Sequence, residues 1–531
     1  MLNRDASLAE LRSGKRFDIV IVGGGATGLG AAVDAASRGH RVALVEQSDF
    51  AKGTSSRSTK LVHGGVRYLR QGNVSLVLEA LRERGRLYRN APHLVHNMAF
   101  VIPNYRWWEG PFYGIGMKVY DRMAGRLGLS PSRTLSKEET MAMLPTVERD
   151  NLVGGVIYHD GQFDDARLAV NLARTAANHG AFPVNYVRCD GLLKEGGEIS
   201  GIHAMDTESG ESFEVCAGCV INATGVFADA LRRRDDPEAA GLLAVSQGVH
   251  LVLPKDFLPG NAAVMIPRTA DGRVLFAVPW HGRVIVGTTD TPLADARIEP
   301  RALESECAFL LEEASRYLTR DPRPGDVLSV FAGLRPLVRS GHGEKTAALS
   351  RDHTIVISES GMVTIVGGKW TTYRKMAEDV VDHAEVVADL ENVPCRTVDL
   401  PIHGSSGPVV DSRLGFYGSD ARSIEALIDA DPSLGAAVHS GIELSRAEVV
   451  WQAREEMART VEDVLARRTR WLLLHAARSI DAAPAVARIL AAELGKSRDW
   501  VENQIAAYTE LARGYVYTDP KSRSVRSVPD G

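Results

Sequence analysis

A short β-branched run, Ile19 to Val22, breaks at Gly23 and gives way to a small-residue helical pattern. A second apolar run, Val42 to Val45, follows and ends at Glu46. This order predicts strand, helix and strand. Two later segments, Val215 to Gly225 and Gly361 to Lys375, are also strands that stop at glycine, and both can extend the same sheet. The cofactor-type domain they form is therefore expected to be discontinuous. Between Ser246 and Asp290 the pattern changes. VHLVLP, AVMIP, RVLFAVPW and RVIVGTTD are short β-rich runs parted by turn signals at Asp271–Gly272 and His281–Gly282, which predict an antiparallel sheet. Arg301 to Leu318 predicts a helix. From Val409 onward strand signals fade. Alanine, leucine and charged residues recur at helical spacing through 447–466, 468–477 and 483–494, predicting a separate helical C-terminal domain. The last ten residues or so are polar and expected to be disordered.

The opening unit carries its own chemistry. Gly23, Gly25 and Gly28 stand in GxGxxG spacing. Gly23 allows the tight turn, Gly25 a close backbone approach to a pyrophosphate, and Gly28 the packing of helix on sheet. The helix N-terminus offers free N–H groups and a positive dipole end to phosphates. Glu46 ends the second strand where a carboxylate accepts from ribose hydroxyls. The glycine pattern alone is a weak signal; strand, helix, second strand and terminal acid in order give it the context it needs.

Composition narrows the class. The chain has 531 residues, enough for two or more domains, and its 44% hydrophobic and 24% charged content is that of an ordinary globular protein. A net charge of −5 argues against nucleic acid as a partner. The five cysteines are few, odd in number and scattered, which fits a reducing compartment. Cys216 and Cys219 form a lone CxxC with no second pair and no flanking histidine, so no metal site is expected. Met1 to Arg16 carries charges and no apolar signal region, and no stretch approaches a bilayer-spanning length. A cytoplasmic location, free or on a membrane surface, is the expectation.

The loop TSSRSTKLVHGGVRYL, Thr54 to Leu69, follows the second strand directly. Its hydroxyls and backbone N–H groups suit phosphate or ribitol, His63 can approach a cofactor ring, and Arg67–Tyr68 can bind an anionic substrate. Arg335, in the apolar GLRPLV, needs a carboxylate or a substrate anion as partner. Lys369 follows Gly367–Gly368 and can serve substrate or cofactor. Arg351–Asp352 reads as a surface pair, and His250, in an alternating strand, as a core histidine. Asn104 to Arg126 crowds Trp107, Trp108, Phe112, Tyr113 and Tyr120 with Arg106, Lys118 and Arg122. That mixture suits either a bilayer interface or a packed aromatic loop.

With VGGGATGLGAAVDAASRG, STKLVHGGVRYL, FDDARL, INATGVFAD, PWHGRVIVGTTD, GLRPLV and GGKWTTYRKMAED in view, the chain resembles the FAD-dependent respiratory glycerol-3-phosphate dehydrogenases, within the D-amino-acid-oxidase-like flavoproteins, over nearly its whole length. The resemblance implies an α/β fold with a glutathione-reductase-like FAD-binding Rossmann domain, an antiparallel β substrate domain and an all-α C-terminal cap. The oxidoreductase part is expected over 1–400, with FAD segments about 15–105, 160–245 and 335–385 interleaved with substrate segments about 106–159 and 246–334. The cap is expected over 401–531. The implied reaction is sn-glycerol 3-phosphate to dihydroxyacetone phosphate, with hydride passing to FAD and electrons to membrane quinone, on a protein peripherally attached to the cytoplasmic face of the inner membrane. A homodimer is compatible with this.

The resemblance implies substrate contacts at Arg67, Tyr68, Arg335, Arg351 and Lys369, which revises the bland reading of Arg351. It places His63 and His250 near flavin and C2, either able to act as base, with Arg335 beside them. Cofactor contacts are expected at Gly23, Gly25, Ala26, Thr27, Gly28, Glu46, Thr54, Ser55, Ser58, Lys60, Leu61, His63, Gly64, Gly225, Gly368, Lys369 and Thr371. It also favours the bilayer reading of the Trp107 segment. Arg57 adds a charge where family members often carry a small residue; a phosphate partner or an outward direction is expected. The competing functions are an oxygen-using oxidase of the same substrate, a flavin oxidase of an amino or 2-hydroxy acid, and a non-catalytic nucleotide-binding regulator.

Overall fold

The computed structural model describes residues 2–66, 73–269, 272–339, 352–407 and 413–518. Arg67, Tyr68 and Arg351, and the polar C-terminal end, lie outside the described residues.

The opening strand, Phe17–Val22, sits inside a sheet and pairs in parallel with Val42–Glu46 on one side and Ser212–Asn222 on the other. The sheet runs His353–Ile357, Val363–Gly367, Ser212–Asn222, Phe17–Val22, Val42–Glu46, Phe182–Asn185. Only its His353–Ile357 edge is antiparallel along that path. Both expected late strands therefore join it. Ile19 and Ile21 face the helices Ala26–Arg38, Asp165–Asn178 and Tyr373–Val387, while Val20 and Val22 face the meander of Val187–Glu195 and Glu198–Asp206. Burial on both faces is why the run is continuously apolar rather than alternating.

The second sheet is larger than its expected core between 246 and 290. Leu243–Pro254, Ala263–Ile266, Leu275–Trp280 and Arg283–Gly287 are joined by Val95–Asn104, Gly154–Phe163, Ser329–Val338 and the short Leu61–Val62. Val95–Asn104, expected within a cofactor segment, belongs to this sheet, and it pairs with Ala263–Ile266 in parallel, the one parallel junction along its main path. Leu61–Val62 carries the hydroxyl-rich loop straight from the first sheet into the second.

The C-terminal part is built of Ala421–Ala430, Arg446–Glu455, Ala476–Leu494 and Arg498–Arg513. It also contains a small hairpin, Ala437–His439 with Ile442–Ser445, which the fading strand signal concealed. The expected helix over 447–466 stops at Glu455, and a π-turn covers Asp463–Arg468.

Buried ion pairs dock this part. Arg167 makes a two-pronged bond with Glu456 at 2.6 and 2.8 Å. Arg468 reaches Asp49 at 2.9 Å, and Lys52 reaches Glu462 at 2.6 Å. Burial works against the Glu462 carboxylate, but Arg467 and Lys52 bring it down to about 2. Such pairs roughly break even against desolvation, yet losing one partner costs about 3–5 kcal/mol, so they fix how the domain sits.

Candidate active site

The fingerprint glycines form a cradle that admits no side chain. Gly23 has φ +112°, and a Cβ there would lie 2.5 Å from Ala223 O. A Cβ on Gly28 would lie 1.9 Å from Gly23 O. Glu46 turns back over this turn, accepting from the N–H of Gly24 at 2.7 Å and of Ser48 at 2.9 Å. Burial raises its pKa while those two N–H groups oppose the rise. A carboxylate with two such bonds keeps lone pairs for ribose hydroxyls.

A cavity of about 340 Å³ runs from this cradle, lined by Gly23, Gly25, Glu46, Thr54, Ser55, Thr224 and Gly225. A second, of about 220 Å³, shares Thr54 with it and continues past Arg57, Ser58, Thr59, Leu61, His63, His250, Gly368, Lys369 and Thr371. A third, of about 170 Å³, shares Thr59, His63 and Arg335 with the second and is closed by Tyr158, Arg273, Phe276 and Thr288 to Asp290. The first two in line, with a glycine cradle at one end, fit a flavin dinucleotide. The third fits a small polar molecule beside its ring.

Several loop residues hold the loop itself. Ser55 Oγ accepts from the N–H of Ala26 at 2.9 Å, so one donor of the helix N-terminus is already engaged. Ser58 donates to Asp165 at 2.7 Å. Lys60, expected at the cofactor, is fully buried instead; its ammonium donates to Asp165 at 2.7 Å and to Ser56 O at 2.7 Å. Burial pulls Lys60 below the usual lysine range, against the pull of Asp165. Gly64 gives its N–H to Tyr120 Oη at 2.8 Å, and Thr371 Oγ1 accepts from the N–H of His63 at 3.2 Å. Thr27 and Ala26 start the helix that the cradle feeds.

The two histidines differ in place. His250 is buried, stacked on Phe331 with centroids 4.8 Å apart, and its Nε2 meets Thr59 Oγ1 at 2.9 Å. Burial, with Arg335 and Lys60 adding to it, holds its pKa well below the usual histidine value, so the ring is neutral. It is thus a core histidine that also lines the second cavity. His63 is half-buried, edge-on to Phe276, and lines both the second and third cavities.

Arg335, on Ser329–Val338, lies across the neighbouring strand. A Cβ on Gly248 would sit 2.4 Å from its Nη2, so that glycine makes room for it. Its guanidinium donates to Thr289 O at 3.0 Å and Thr288 Oγ1 at 3.1 Å, with Asp290 at 3.4 Å. The ion-pair and substrate readings of Arg335 are therefore compatible: it is held on one side and open to the cavity on the other. Lys369 lines the second cavity beside Gly368.

Arg273 and Asp290 were not singled out in the sequence. Arg273 follows the Asp271–Gly272 turn signal; in the fold its guanidinium lies over Phe309, 5.0 Å from the centroid, at the wall of the third cavity. Asp290 closes the quoted PWHGRVIVGTTD string, which was the available signal. Arg57 does not face outward; it is buried, pairs with Glu299 at 2.8 Å and borders the second cavity.

Of the exposed apolar residues, Trp107 is 81% accessible, and Trp108, Phe112, Ile115 and Val119 join it along Glu109–Ala124 and the loop before it. Beneath that helix lies an apolar cleft of about 320 Å³ that shares Val66, Met265 and Val274 with the third cavity. Among the described residues no helix is long and apolar enough to cross a membrane, and no group of metal-ligating side chains occurs.

Comparison with known proteins agrees with this geometry. A family of FAD dependent oxidoreductases matches residues 18–374, and the C-terminal domain of alpha-glycerophosphate oxidase matches 358–501. The chain is 40% identical to the mitochondrial glycerol-3-phosphate dehydrogenase of Homo sapiens, over 98% of this chain and 76% of that one. It is 36% identical to the protein of that name from Schizosaccharomyces pombe, over 97% and 89%. A solved glycerol-3-phosphate dehydrogenase from Bacillus halodurans, complexed with FAD, superposes with a TM-score of 0.78 at 28% identity, covering 97% of this chain and 98% of that one.

Proposed function

The chain belongs to the FAD-dependent oxidoreductases, with glycerol-3-phosphate dehydrogenases as its full-length relatives, and from that premise we propose that it oxidises sn-glycerol 3-phosphate to dihydroxyacetone phosphate. The observation that carries this reading is the junction of the cofactor and substrate cavities at Thr59, His63 and Arg335. Bound FAD supplies the acceptor for the hydride that leaves C2. The chain's own residues do the rest. Arg335 and Arg273 present cations to the phosphate, and a guanidinium can bind two of its oxygens at once. Lys369, Arg67, Tyr68 and Arg351 complete the proposed substrate set. His63, open to both cavities, takes the C2 hydroxyl proton, while neutral His250 packs the cofactor side and holds Thr59. Asp290 fixes Arg335 from behind.

For the electron acceptor we favour a membrane quinone. The support is the apolar cleft under Glu109–Ala124, which touches the substrate cavity and opens beside the exposed aromatic face. Trp and Phe at that face suit a lipid headgroup boundary, with the protein attached peripherally to the cytoplasmic side of the inner membrane.

The test is an anaerobic titration of the purified protein with glycerol 3-phosphate. Stoichiometric bleaching of the flavin band is expected. Bleaching by glycine or a 2-hydroxy acid but not by glycerol 3-phosphate would overturn the substrate. Peroxide formation outpacing quinone reduction would replace the acceptor by oxygen.

A further inference from the structure

The hydroxyl-rich loop that lines the cofactor cavities is gripped from behind by the C-terminal domain. Arg57 Nη2 donates to Glu299 Oε2 at 2.8 Å, and the Tyr515 hydroxyl donates to the other oxygen of the same carboxylate. Arg57 and Tyr515 are both buried, so the three groups form a closed strut between the loop and the segment after Arg498–Arg513. The far end of the strut is itself anchored. Tyr515 O accepts from the N–H of Val330 at 2.9 Å, at the start of the strand whose later residues, Gly333 to Leu337, line the second cavity. A Cβ on Gly333 would sit 2.8 Å from Arg57 O, so loop and strand are in backbone contact there. Arg301 stacks on the Tyr515 ring at 5.4 Å and donates to Leu511 O at 3.0 Å. Earlier in the same loop region, Asp49 and Lys52 are held by Arg468 and Glu462 of the same domain.

We propose that the C-terminal domain is a clamp on the FAD site, with Arg57, Glu299 and Tyr515 as positioning residues that couple docking of the last helix to retention of FAD. The inference rests on the cofactor assignment and goes beyond it. Arg57 borders the second cavity, while Glu299 and Tyr515 stand behind it. They fix the loop from Thr54 to Thr59, whose other side lines the cavity, so docking the helix restricts the loop in advance of binding. Coupling of this kind is reciprocal: what the helix does for FAD, FAD does for the helix. It also gives Arg57 a reason to be arginine, because a small residue at 57 would leave Glu299 and Tyr515 without their cation.

The test uses full-length holoenzyme and reads FAD release by the rise in flavin fluorescence on dilution. Tyr515→Phe keeps the ring and its packing but removes the bond to Glu299; Glu299→Gln removes the charge. Each is expected to speed release about 5- to 10-fold, the scale of one buried hydrogen bond. Tyr417→Phe is the control. It removes a buried bond accepted from Gln452, 2.7 Å long, within the same domain but off the last helix, and should lower the melting temperature without speeding release. Hydrogen exchange gives the reciprocal readout: FAD should slow exchange across 498–515 in the wild type, and that slowing should vanish in Tyr515→Phe. Unchanged release in both strut variants, or equal acceleration by Tyr417→Phe, would overturn the clamp. Wild-type protein that holds no FAD at all would instead overturn the cofactor assignment, a result distinct from either.

Discussion

Replacing Arg335 by alanine tests the phosphate site most directly. The guanidinium reaches Thr289 O, Thr288 Oγ1 and Asp290, and its side chain is 22% accessible. Its removal deletes a charge-assisted contact to the phosphate, worth about 1.5–3 kcal/mol, or roughly 10- to 150-fold in kcat/KM. It also strips Asp290 of its cation, leaving a carboxylate at the wall of a cavity that must accept a dianion. Repulsion between such groups adds about 1 kcal/mol or more at the effective dielectric of a partly open site. The single variant should therefore lose at least ~70-fold in kcat/KM, mostly through KM. The double variant Arg335→Ala with Asp290→Asn should recover about 5- to 10-fold of that loss, because the repulsive partner is gone. The assay is steady-state reduction of a soluble dye by glycerol 3-phosphate, with FAD content measured on each preparation. A single variant within twofold of wild type would refute the phosphate contact. A double variant no better than the single would refute the account of Asp290.

Three further outcomes follow from the same coordinates. His63→Asn should slow flavin reduction by about 10²- to 10⁴-fold in rapid-mixing experiments while retaining FAD, as expected for loss of a general base; a larger loss from His250→Asn would reverse the two assignments. His93 is buried, its Nε2 accepts from Asn171 at 2.9 Å, and burial with Arg167 and His403 pulls its pKa down to about 4. Its neutral form is favoured only in the folded state, so its contribution is complete above about pH 6.5 and is lost as pH falls toward 4, at up to about 1.4 kcal/mol per unit. Urea midpoints at pH 7 and pH 5 should differ less in His93→Gln than in wild type, and an unchanged difference would remove this source. Replacing Trp107, Trp108 and Phe112 by serine should abolish co-sedimentation with liposomes and leave dye-linked turnover intact; undiminished sedimentation would detach the membrane reading from this helix.

Much of the cofactor half is legible because its signals are local. Strand, glycine turn, helix and terminal Glu46 occupy thirty consecutive residues, and each dictates a neighbour. The second sheet is harder to read. Gly154–Phe163 opens on two glycines and carries His159 and Asp160, so nothing in it alternates; it is a strand because Val95–Asn104 and Arg133–Leu135 pair with it. Pairing of that kind is a property of the fold and not of the segment. The site divides in the same way. His63 and Arg335 stand in distinctive strings, but Arg273 acquires meaning only when its hairpin folds against Phe309. Lys60 shows the opposite failure: its string pointed at the cofactor, and Asp165 claimed the ammonium. The direction of Arg57 depended on Glu299, 242 residues further along the chain.

The strand order of the first sheet has a consequence for how the protein is made. Phe17–Val22 leaves the ribosome long before its partners: one of its two flanking strands is Ser212–Asn222, and the next strand out is Val363–Gly367. Every strand of the second sheet must be synthesised before the glycine cradle has its walls. Folding is thus dominated by contacts distant in sequence, which form slowly and leave apolar strands exposed while they wait. The nascent chain cannot recruit FAD early as a folding template. It needs shielding until Val363–Gly367 has emerged, and truncated products ending before that strand should accumulate as aggregates without colour.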